Sequence, residues 1–173
     1  MILGISGSGI KDGNLDRMVK RVLELTGQQA RFIRLAEITI RPCTGCVDCA
    51  KNNRCVEKDD GNRLLEAILE AKAVLWGSPC YFSRPNAFIS TAMERLYPLR
   101  HRDLLTAGKP TAALVTGGGV GLDETAKLMQ FMLSGYMGFA WQGQVTWASQ
   151  TAPCFKCGFG GTCAYRQRPV GYP

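Results

Sequence analysis

Residues 2–14 read Ile2-Leu3-Gly4-Ile5-Ser6-Gly7-Ser8-Gly9-Ile10-Lys11-Asp12-Gly13-Asn14. The first five residues are typical of a short buried strand, and the glycines and serines after them are typical of a tight turn. Beyond the turn, apolar residues recur at the three- and four-residue spacing of a helix with one buried face. These residues are Leu15, Met18, Val19, Val22 and Leu23. The stretch therefore predicts a strand, a glycine-rich turn and an amphipathic helix, the start of a β-α-β unit.

The rest of the chain repeats this alternation of short apolar runs and amphipathic helical patterns. The apolar runs predict further strands at residues 30–35, 73–77, 111–115 and 144–147. Because strands that alternate with helices form parallel sheets, we predict an α/β fold with a doubly wound five-stranded parallel sheet. Its 173 residues fit a single domain, 1–173. A cysteine-rich insertion, 41–58, follows the second strand, and an irregular cysteine-rich tail, 149–173, ends the chain.

The composition is that of an ordinary soluble domain, with 46% hydrophobic and 20% charged residues. There is no run of about 18 apolar residues, so we expect no membrane span. The chain enters its first strand without a signal peptide, so we expect a cytoplasmic protein. The net charge of +7 suits an acidic protein partner. We expect no nucleic-acid binding, because the basic residues are scattered.

The first turn has the composition of an anion site. Backbone N–H groups and hydroxyls at a helix N-terminus suit a phosphate, and the candidate residues are Ser6, Ser8, Gly13 and Asn14. The glycine spacing matches neither a Walker A loop nor a dinucleotide-binding fingerprint. The alternative is an ordinary strand-to-helix turn capped by Asn14.

Two further loops are predicted at the same edge of the sheet, where ligands of doubly wound folds bind. The candidate residues are Pro79, Cys80, Tyr81 and Phe82 after the third strand, and Thr116, Gly117, Gly118 and Gly119 after the fourth. Aromatic rings and closely approaching backbone suit a flat ring system. The alternatives are packing of the two aromatic residues in the core and simple flexibility of the glycines. The side chain of Cys80 is expected to be a small buried apolar group.

Eight cysteines are many for a cytoplasmic chain of this size, where disulfides are improbable. Four of them, Cys43, Cys46, Cys49 and Cys55, form the compact pattern C-x2-C-x2-C-x5-C. Four thiolates are the ligand set of a [4Fe–4S] cluster, and this spacing favours the cluster over tetrahedral zinc, the alternative metal, or unligated thiols. Basic residues surround the pattern, and their charge would stabilise an anionic cluster. They are Arg41, Lys51, Arg54 and Lys58.

Three more cysteines lie in the tail: Cys154, Cys157 and Cys163. They form a possible second metal or cluster site that Cys80 could complete in space, or they are free or form a redox disulfide. His101, the one histidine of the chain, is expected to be a solvated loop residue. Asp59 and Asp60 precede a predicted helix, and the general preference for acidic residues at helix N-termini is enough to explain them.

The chain resembles the iron–sulfur flavoprotein family, a branch of the NADPH-dependent FMN reductase group with flavodoxin-like folds. The resemblance covers residues 1–147. Three motifs carry it: Gly4-Ile5-Ser6-Gly7-Ser8 with Gly13-Asn14, the four-cysteine pattern followed by Asp59-Asp60, and Gly77-Ser78-Pro79-Cys80-Tyr81-Phe82. The chain departs from the family pattern at Gly9, Ile10 and Leu15, where relatives usually have Pro, Arg and Thr.

The resemblance implies FMN, with its phosphate on the first turn and its isoalloxazine near residues 79–82 and 116–119. It also implies a [4Fe–4S] cluster on Cys43, Cys46, Cys49 and Cys55, and a homo-oligomer. The expected function is a redox flavoprotein that passes electrons between FMN and the cluster. It would link a one-electron donor such as ferredoxin to a two-electron acceptor. The alternatives are an NAD(P)H-dependent FMN or quinone reductase without a cluster, and a non-enzymatic electron carrier or metal-stapled module.

Overall fold

The computed structural model describes residues 1–148, and its central feature is a parallel sheet of five strands. The strands are β1 (Ile2–Ser6), β2 (Ala30–Arg34), β3 (Ala73–Tyr81), β5 (Pro110–Gly117) and β6 (Ala140–Ala148). A two-residue strand, β4 (Arg84–Pro85), pairs antiparallel with the end of β3. The four α-helices are α1 (Asn14–Leu25), α2 (Gly61–Glu70), α3 (Ala87–Glu94) and α4 (Leu122–Gln130).

The strand order is β2-β1-β3-β5-β6, and every neighbouring pair along this path is parallel. The chain moves outward from β1 to β2, then crosses back to β3 on the other side of β1. The order therefore reverses between β1 and β3, as in doubly wound folds whose ligands bind at this switch point. The predicted flavodoxin-like fold with a five-stranded parallel sheet is confirmed.

The two faces of the sheet have separate cores because side chains alternate along each strand. On β3, Val74 and Trp76 belong to the larger core, with residues of α2, α3 and α4. Leu75 between them belongs to the smaller core, with Leu15 and other residues of α1. Of the apolar stripe predicted for α1, Leu15, Val19 and Leu23 are buried, Met18 is partly buried, and Val22 at the edge is 36% exposed.

The third strand is longer than the predicted 73–77. It continues through Pro79 and Cys80 to Tyr81, because the chain reverses in a two-residue hairpin and β4 pairs with this extension. Phe82 and Ser83 form the corner with φ values of 52° and 59°. Positive φ at both positions matches the right-handed twist of the paired strands. Strand β1 has its predicted limits, and β2, β5 and β6 each have at least one end that lies one to four residues from the predicted limit.

No helix within residues 1–148 is long and apolar enough to cross a lipid bilayer. The predicted tail, 149–173, with Cys154, Cys157 and Cys163, lies outside the described residues, so the possible second metal site stays a prediction. So does the assignment of 1–173 to a single domain.

Two glycines of the first turn give a test of its packing. A Cβ atom at Gly7 would lie 2.5 Å from Ile89 Cγ1 and 2.8 Å from Asn86 Oδ1, whereas one at Gly9 would meet nothing closer than Phe88 Cε2 at 3.8 Å. We expect Gly7→Ala to lower the free energy of unfolding by about 1–3 kcal/mol, because the buried neighbours must move. Gly9→Ala is the matched control and is expected to be close to neutral. Equal urea midpoints for the two variants would contradict this packing.

Candidate functional site

The first turn is built around a buried carboxylate that the sequence analysis did not identify. Asp16 is 1% exposed and accepts hydrogen bonds from Ser6 Oγ at 2.6 Å and from the Asp12 N–H at 2.9 Å. Ser6 Oγ also accepts from the Ser8 N–H at 3.2 Å. The Asp16 side chain thus holds both ends of the turn from behind. An acid in the first turn of a helix was the available signal, since such residues favour the helix N-terminus.

The helix after this turn begins in the way that an anion site requires. Gly13, not Asn14, is the N-cap of α1, and no side chain of the described residues caps it. Asn14 is the first helical residue, and its side chain accepts a hydrogen bond from Arg17. Asn14 is therefore not the cap that the alternative of an ordinary turn assigned to it. First-turn N–H groups without a side-chain cap, together with the helix dipole, suit a phosphate.

A buried asparagine ties the first turn to α3. Asn86 Nδ2 donates to the Gly7 carbonyl at 2.6 Å, and Asn86 Oδ1 accepts from the Ile89 N–H as the N-cap of α3. Asn86 is 5% exposed, so this contact is shielded from water. An asparagine directly before a helical pattern signals an N-cap, but its contact with a turn 79 residues earlier could not be read from the sequence.

The aromatic candidates lie on the exposed tip of the β3–β4 hairpin. Tyr81 is 57% exposed and Phe82 is 96% exposed. The alternative that these rings pack in the core is wrong, most clearly for Phe82. A large apolar ring held in solvent by a tight turn is free to cover a bound flat molecule.

Cys80 fastens this hairpin to the loop after β5. Its Sγ lies 3.2 Å from the Gly121 carbonyl and 3.1 Å from Thr125 Oγ1. A Cβ at Gly121 would come within 2.2 Å of Ser83 Oγ, so the two loops touch. Cys80 was expected to be a small buried apolar group; it is half-buried against the larger core, and its thiol is also hydrogen-bonded.

Adjacent strands bring the three predicted loops to one edge of the sheet. Ser6 is the register partner of Gly77, and Pro79 is the partner of Thr116. Thr116 and Gly117 end β5, and Gly118 and Gly119 follow in the loop to α4. The predicted flavin-site residues therefore occupy neighbouring strand ends and their loops.

The four cysteines of the insertion line one cavity of about 270 Å³ together with Arg95, Tyr97, Pro98 and His101. Burial raises the pKa of the Cys49 thiol, and the nearby Cys55, Cys43 and Cys46 raise it further. If all four were deprotonated, the thiolates would repel one another, and a bound cation would offset that repulsion. Within residues 1–148 no three candidate ligands converge tightly enough to hold a single metal ion.

Two asparagines hold the insertion in place. Asn53, with φ of 56°, donates from Nδ2 to the carbonyl of Pro98 at 2.6 Å. Asn62 of α2 accepts from the Cys55 N–H at 3.2 Å and donates to the Cys55 carbonyl at 2.9 Å. The last cysteine is thereby fixed to the helix that follows the insertion.

Arg95, which the sequence analysis missed, lies between the cysteine cavity and the rest of the domain. The side chains of Arg95 and Asp59 are each 2% exposed, and Arg95 Nη1 lies 2.6 Å from Asp59 Oδ2. Arg95 Nη1 also donates to the Arg41 carbonyl at 2.8 Å, and Nη2 donates to Cys55 Sγ at 3.2 Å. The Nε atom is buried and has no hydrogen-bond partner among the described residues.

Asp59 and Asp60 also accept hydrogen bonds from backbone N–H groups, in addition to lying at the start of α2. Asp59 accepts from the Arg41 and Gly61 N–H groups at 2.8 Å each, and Asp60 accepts from the Thr39 N–H at 2.9 Å. Burial alone would raise the pKa of Asp59, but the hydrogen bonds from Arg95 and these amides outweigh it and lower the pKa to about 2. The two acids join the start of the insertion to α2.

His101 is exposed, as expected, but it also contacts a cysteine. Its Nδ1 lies 3.0 Å from Cys49 Sγ, and its ring lies 5.0 Å from the ring of Tyr97. The expectation of a solvated loop residue did not include this contact, which arises because a loop 52 residues further along the chain returns to the insertion.

Three of the basic residues predicted to surround the cysteines are paired with surface acids. Lys51 lies 2.6 Å from Asp48, Arg41 lies 3.6 Å from Glu57, and Arg54 lies 3.9 Å from Glu66. Exposed pairs of this kind are screened by water. The cation that donates directly to a cysteine sulfur is the buried Arg95.

A family profile decides the relationship of the chain. The profile of the NADPH-dependent FMN reductase family matches residues 1–153. The chain belongs to this family. Its relatives include an iron–sulfur flavoprotein of Archaeoglobus fulgidus, 34% identical over 125 residues that cover 70% of this chain and 56% of the relative. Another, from Methanocaldococcus jannaschii, is 35% identical over 102 residues that cover 57% of this chain and 53% of the relative.

The predicted resemblance is thus confirmed, and the chain spans about half the length of these family relatives. Solved structures agree on the fold. The Trp repressor binding protein of Bacillus subtilis matches with a TM-score of 0.66 at 18% identity, covering 87% of this chain and 88% of that protein. An NADH:FMN oxidoreductase matches with a TM-score of 0.61 at 17% identity, covering 84% and 74%. At such identities the likeness shows the fold alone.

The low pKa of Asp59 predicts an acid-sensitive contribution to stability. The pKa of this carboxyl falls from 3.8 to about 2 on folding, so the carboxylate stabilises the folded protein at pH values above the pKa of the unfolded state. This contribution is on the order of 2 kcal/mol, and it disappears as the pH falls from about 4 to about 2. We expect urea unfolding of the metal-free protein to show Asp59→Asn less stable than wild type at pH 7. At pH 2 the difference should be largely gone, and an unchanged difference would contradict the assignment.

Proposed function

We propose that this chain is an FMN-dependent oxidoreductase in which bound FMN exchanges electrons with a [4Fe–4S] cluster on Cys43, Cys46, Cys49 and Cys55. The observation that carries the proposal is the common cavity of the four cysteines, bounded by a buried arginine that donates to Cys55. Membership of the NADPH-dependent FMN reductase family supports the flavin, and the names of the iron–sulfur flavoprotein relatives support the cluster.

The first turn would hold the FMN phosphate. Asp16 and Asn86 fix the backbone of this turn from behind, so the N–H groups at the start of α1 keep their direction. Ser6 and Ser8 are engaged within the turn, where Ser8 Oγ accepts from the Ile10 N–H at 3.1 Å. We infer that backbone N–H groups around Gly13 contribute more to phosphate binding than these hydroxyls do.

The residues 79–82 and 116–119 would hold the flavin ring at the adjoining strand ends. The contacts of Cys80 with Gly121 and Thr125 keep these two loops together. When bound, FMN accepts one or two electrons, whereas an iron–sulfur cluster passes one at a time. No acid or base side chain of the chain is assigned a catalytic role.

Helix α3 would set the separation of the two cofactors. Its N-cap, Asn86, binds the first turn, and its C-cap, Arg95, binds Cys55. The eight helical residues between these two positions, and so nine residue steps, correspond to about 14 Å along the axis. One short rigid element therefore connects the two candidate sites, which suits electron exchange within a single chain.

The proposed partners follow from this pairing of cofactors. A one-electron donor such as ferredoxin would supply the cluster, and a two-electron acceptor would take electrons from FMN. The net charge of +7 suits an acidic carrier protein. We also propose that the protein forms a homo-oligomer.

The second candidate is an NAD(P)H-dependent FMN or quinone reductase without a cluster, with zinc or nothing on the cysteines. The family name favours it, since it specifies NADPH as the reductant. Fast bleaching of bound FMN by NADPH would identify this activity. A carrier or metal-stapled module would show reversible reduction without turnover, or no chromophore.

The first experiment is an anaerobic absorbance spectrum with iron, zinc and FMN quantified in the same sample. Flavin bands over a broad iron–sulfur shoulder, with about four irons per chain, would support the proposal. About eight irons would add a second cluster on the tail cysteines. FMN with zinc, or with no metal, would replace the proposal by the simple reductase.

The cysteine assignment predicts different results for two cysteine substitutions. Cys46→Ala removes a proposed ligand, so we expect loss of the iron absorbance with FMN retained. Cys80→Ala is the matched control, because Cys80 contacts Gly121 and Thr125 rather than the cysteine cavity, so this variant should retain the four irons of that cavity. Unchanged iron in Cys46→Ala would defeat the assignment.

The phosphate assignment predicts that the flavin-free protein discriminates FMN from riboflavin. Riboflavin lacks the phosphate, so we expect it to bind at least tenfold more weakly, a loss of about 1.4 kcal/mol. Quenching of flavin fluorescence measures both dissociation constants, and raising the salt concentration should reduce the difference. Equal affinities would remove the first turn from the binding site.

A further inference from the structure

The guanidinium of Arg95 is built into the wall of the cysteine cavity in a single orientation. Asp59 holds it through both Nη atoms, at 2.6 and 3.0 Å, and the Arg41 carbonyl accepts from Nη1. A Cβ at Gly61 would come within 2.6 Å of Arg95 Nη2, so a glycine is needed at this position for the arginine to fit. The Nη2 group, which also donates to Asp59, donates to Cys55 Sγ at 3.2 Å.

We propose that Arg95 is a positioning residue that raises the reduction potential of the cysteine-bound cluster through its N–H···S bond to Cys55, and that Asp59 both orients it and offsets part of its charge. The inference rests on the proposed function, because it needs a cluster on these cysteines. It concerns two residues outside the four-cysteine pattern, and it assigns them opposite effects.

The physical reason is the charge that the site gains on reduction. One added electron makes the cluster and its thiolates more negative, and a cation that donates to a ligand sulfur stabilises this reduced form. Hydrogen bonding to Asp59 raises the pKa of Arg95, so its charge is present at every working pH. Because both side chains are buried, water screens this charge little. Exposed Arg54, paired with Glu66, lacks that advantage.

The two members of the pair should therefore shift the potential in opposite directions. Arg95→Gln removes the cation and should lower the midpoint potential by at least 59 mV, which is a tenfold change in the reduction equilibrium of a one-electron couple. Asp59→Asn removes the offsetting anion and should raise the potential. A purely structural role would act in the same direction in both variants, since each would loosen the same wall of the cavity.

The experiment is a dithionite titration of the full chain, reconstituted with ferrous iron and sulfide and monitored by electron paramagnetic resonance. Arg54→Gln is the matched control and should shift the reduction equilibrium less than threefold, because its charge is exposed. Arg95→Lys keeps the charge and should lie nearer to wild type than Arg95→Gln does. If a single variant fails to fold, the double variant Arg95→Gln/Asp59→Asn serves in its place, because it leaves no unpaired buried charge. Its reduction equilibrium constant should lie within threefold of the wild-type value.

Opposite shifts for Arg95→Gln and Asp59→Asn, or a near-native potential for the double variant when a single variant is lost, would support the inference. The inference would be overturned by shifts in the same direction, or by shifts no larger than that of Arg54→Gln. A double variant whose reduction equilibrium constant differs tenfold from wild type would also overturn it. Iron is counted in each sample, so a change in potential can be distinguished from loss of the cluster. Wild type that takes up no iron would instead overturn the proposed function, and this inference with it.

Discussion

The ion pair between Arg95 and Asp59 joins segments that lie 36 residues apart in the chain and holds the cysteine insertion against the doubly wound domain. Arg95 follows α3, Asp59 precedes α2, and the Arg41 backbone, at the start of the insertion, bonds to both side chains. Removing either charge would leave the other buried without a partner, which destabilises the fold. The position of Cys55, and with it the shape of the cysteine cavity, therefore depends on this pair.

The sheet tolerates the insertion because the added residues follow β2, the edge strand, and do not enter the sheet. The strand ends that form the candidate flavin site belong to β1, β3 and β5, which are contiguous in the interior of the sheet. Helix α3 is the element shared by the two sites, through Asn86 at one end and Arg95 at the other. The doubly wound fold thus carries a second candidate site on an added loop and an existing helix end.

The sequence allowed prediction of those features that depend on near neighbours. The strands followed from apolar runs, and the common cavity of the four cysteines agrees with their spacing within thirteen residues. The extension of β3 was missed because Ser78 and Pro79 interrupt the apolar pattern, whereas pairing with β4 supports the strand there. The sulfur contacts of Arg95 and His101 were missed because they join positions 40 and 52 residues apart, which no local pattern encodes.

The burial of Arg95 is hard to explain by stability alone. Buried ion pairs contribute little net stability, since desolvation of both charges offsets their attraction, and apolar replacements of similar volume are often neutral or stabilising. Arg95 bears a further cost, because its Nε is buried without a partner in the described part of the chain. The same orientation that leaves Nε unsatisfied directs Nη2 toward Cys55 Sγ. A buried cation that faces a proposed ligand sulfur is better explained by the charge of what the four cysteines bind than by the packing of the domain.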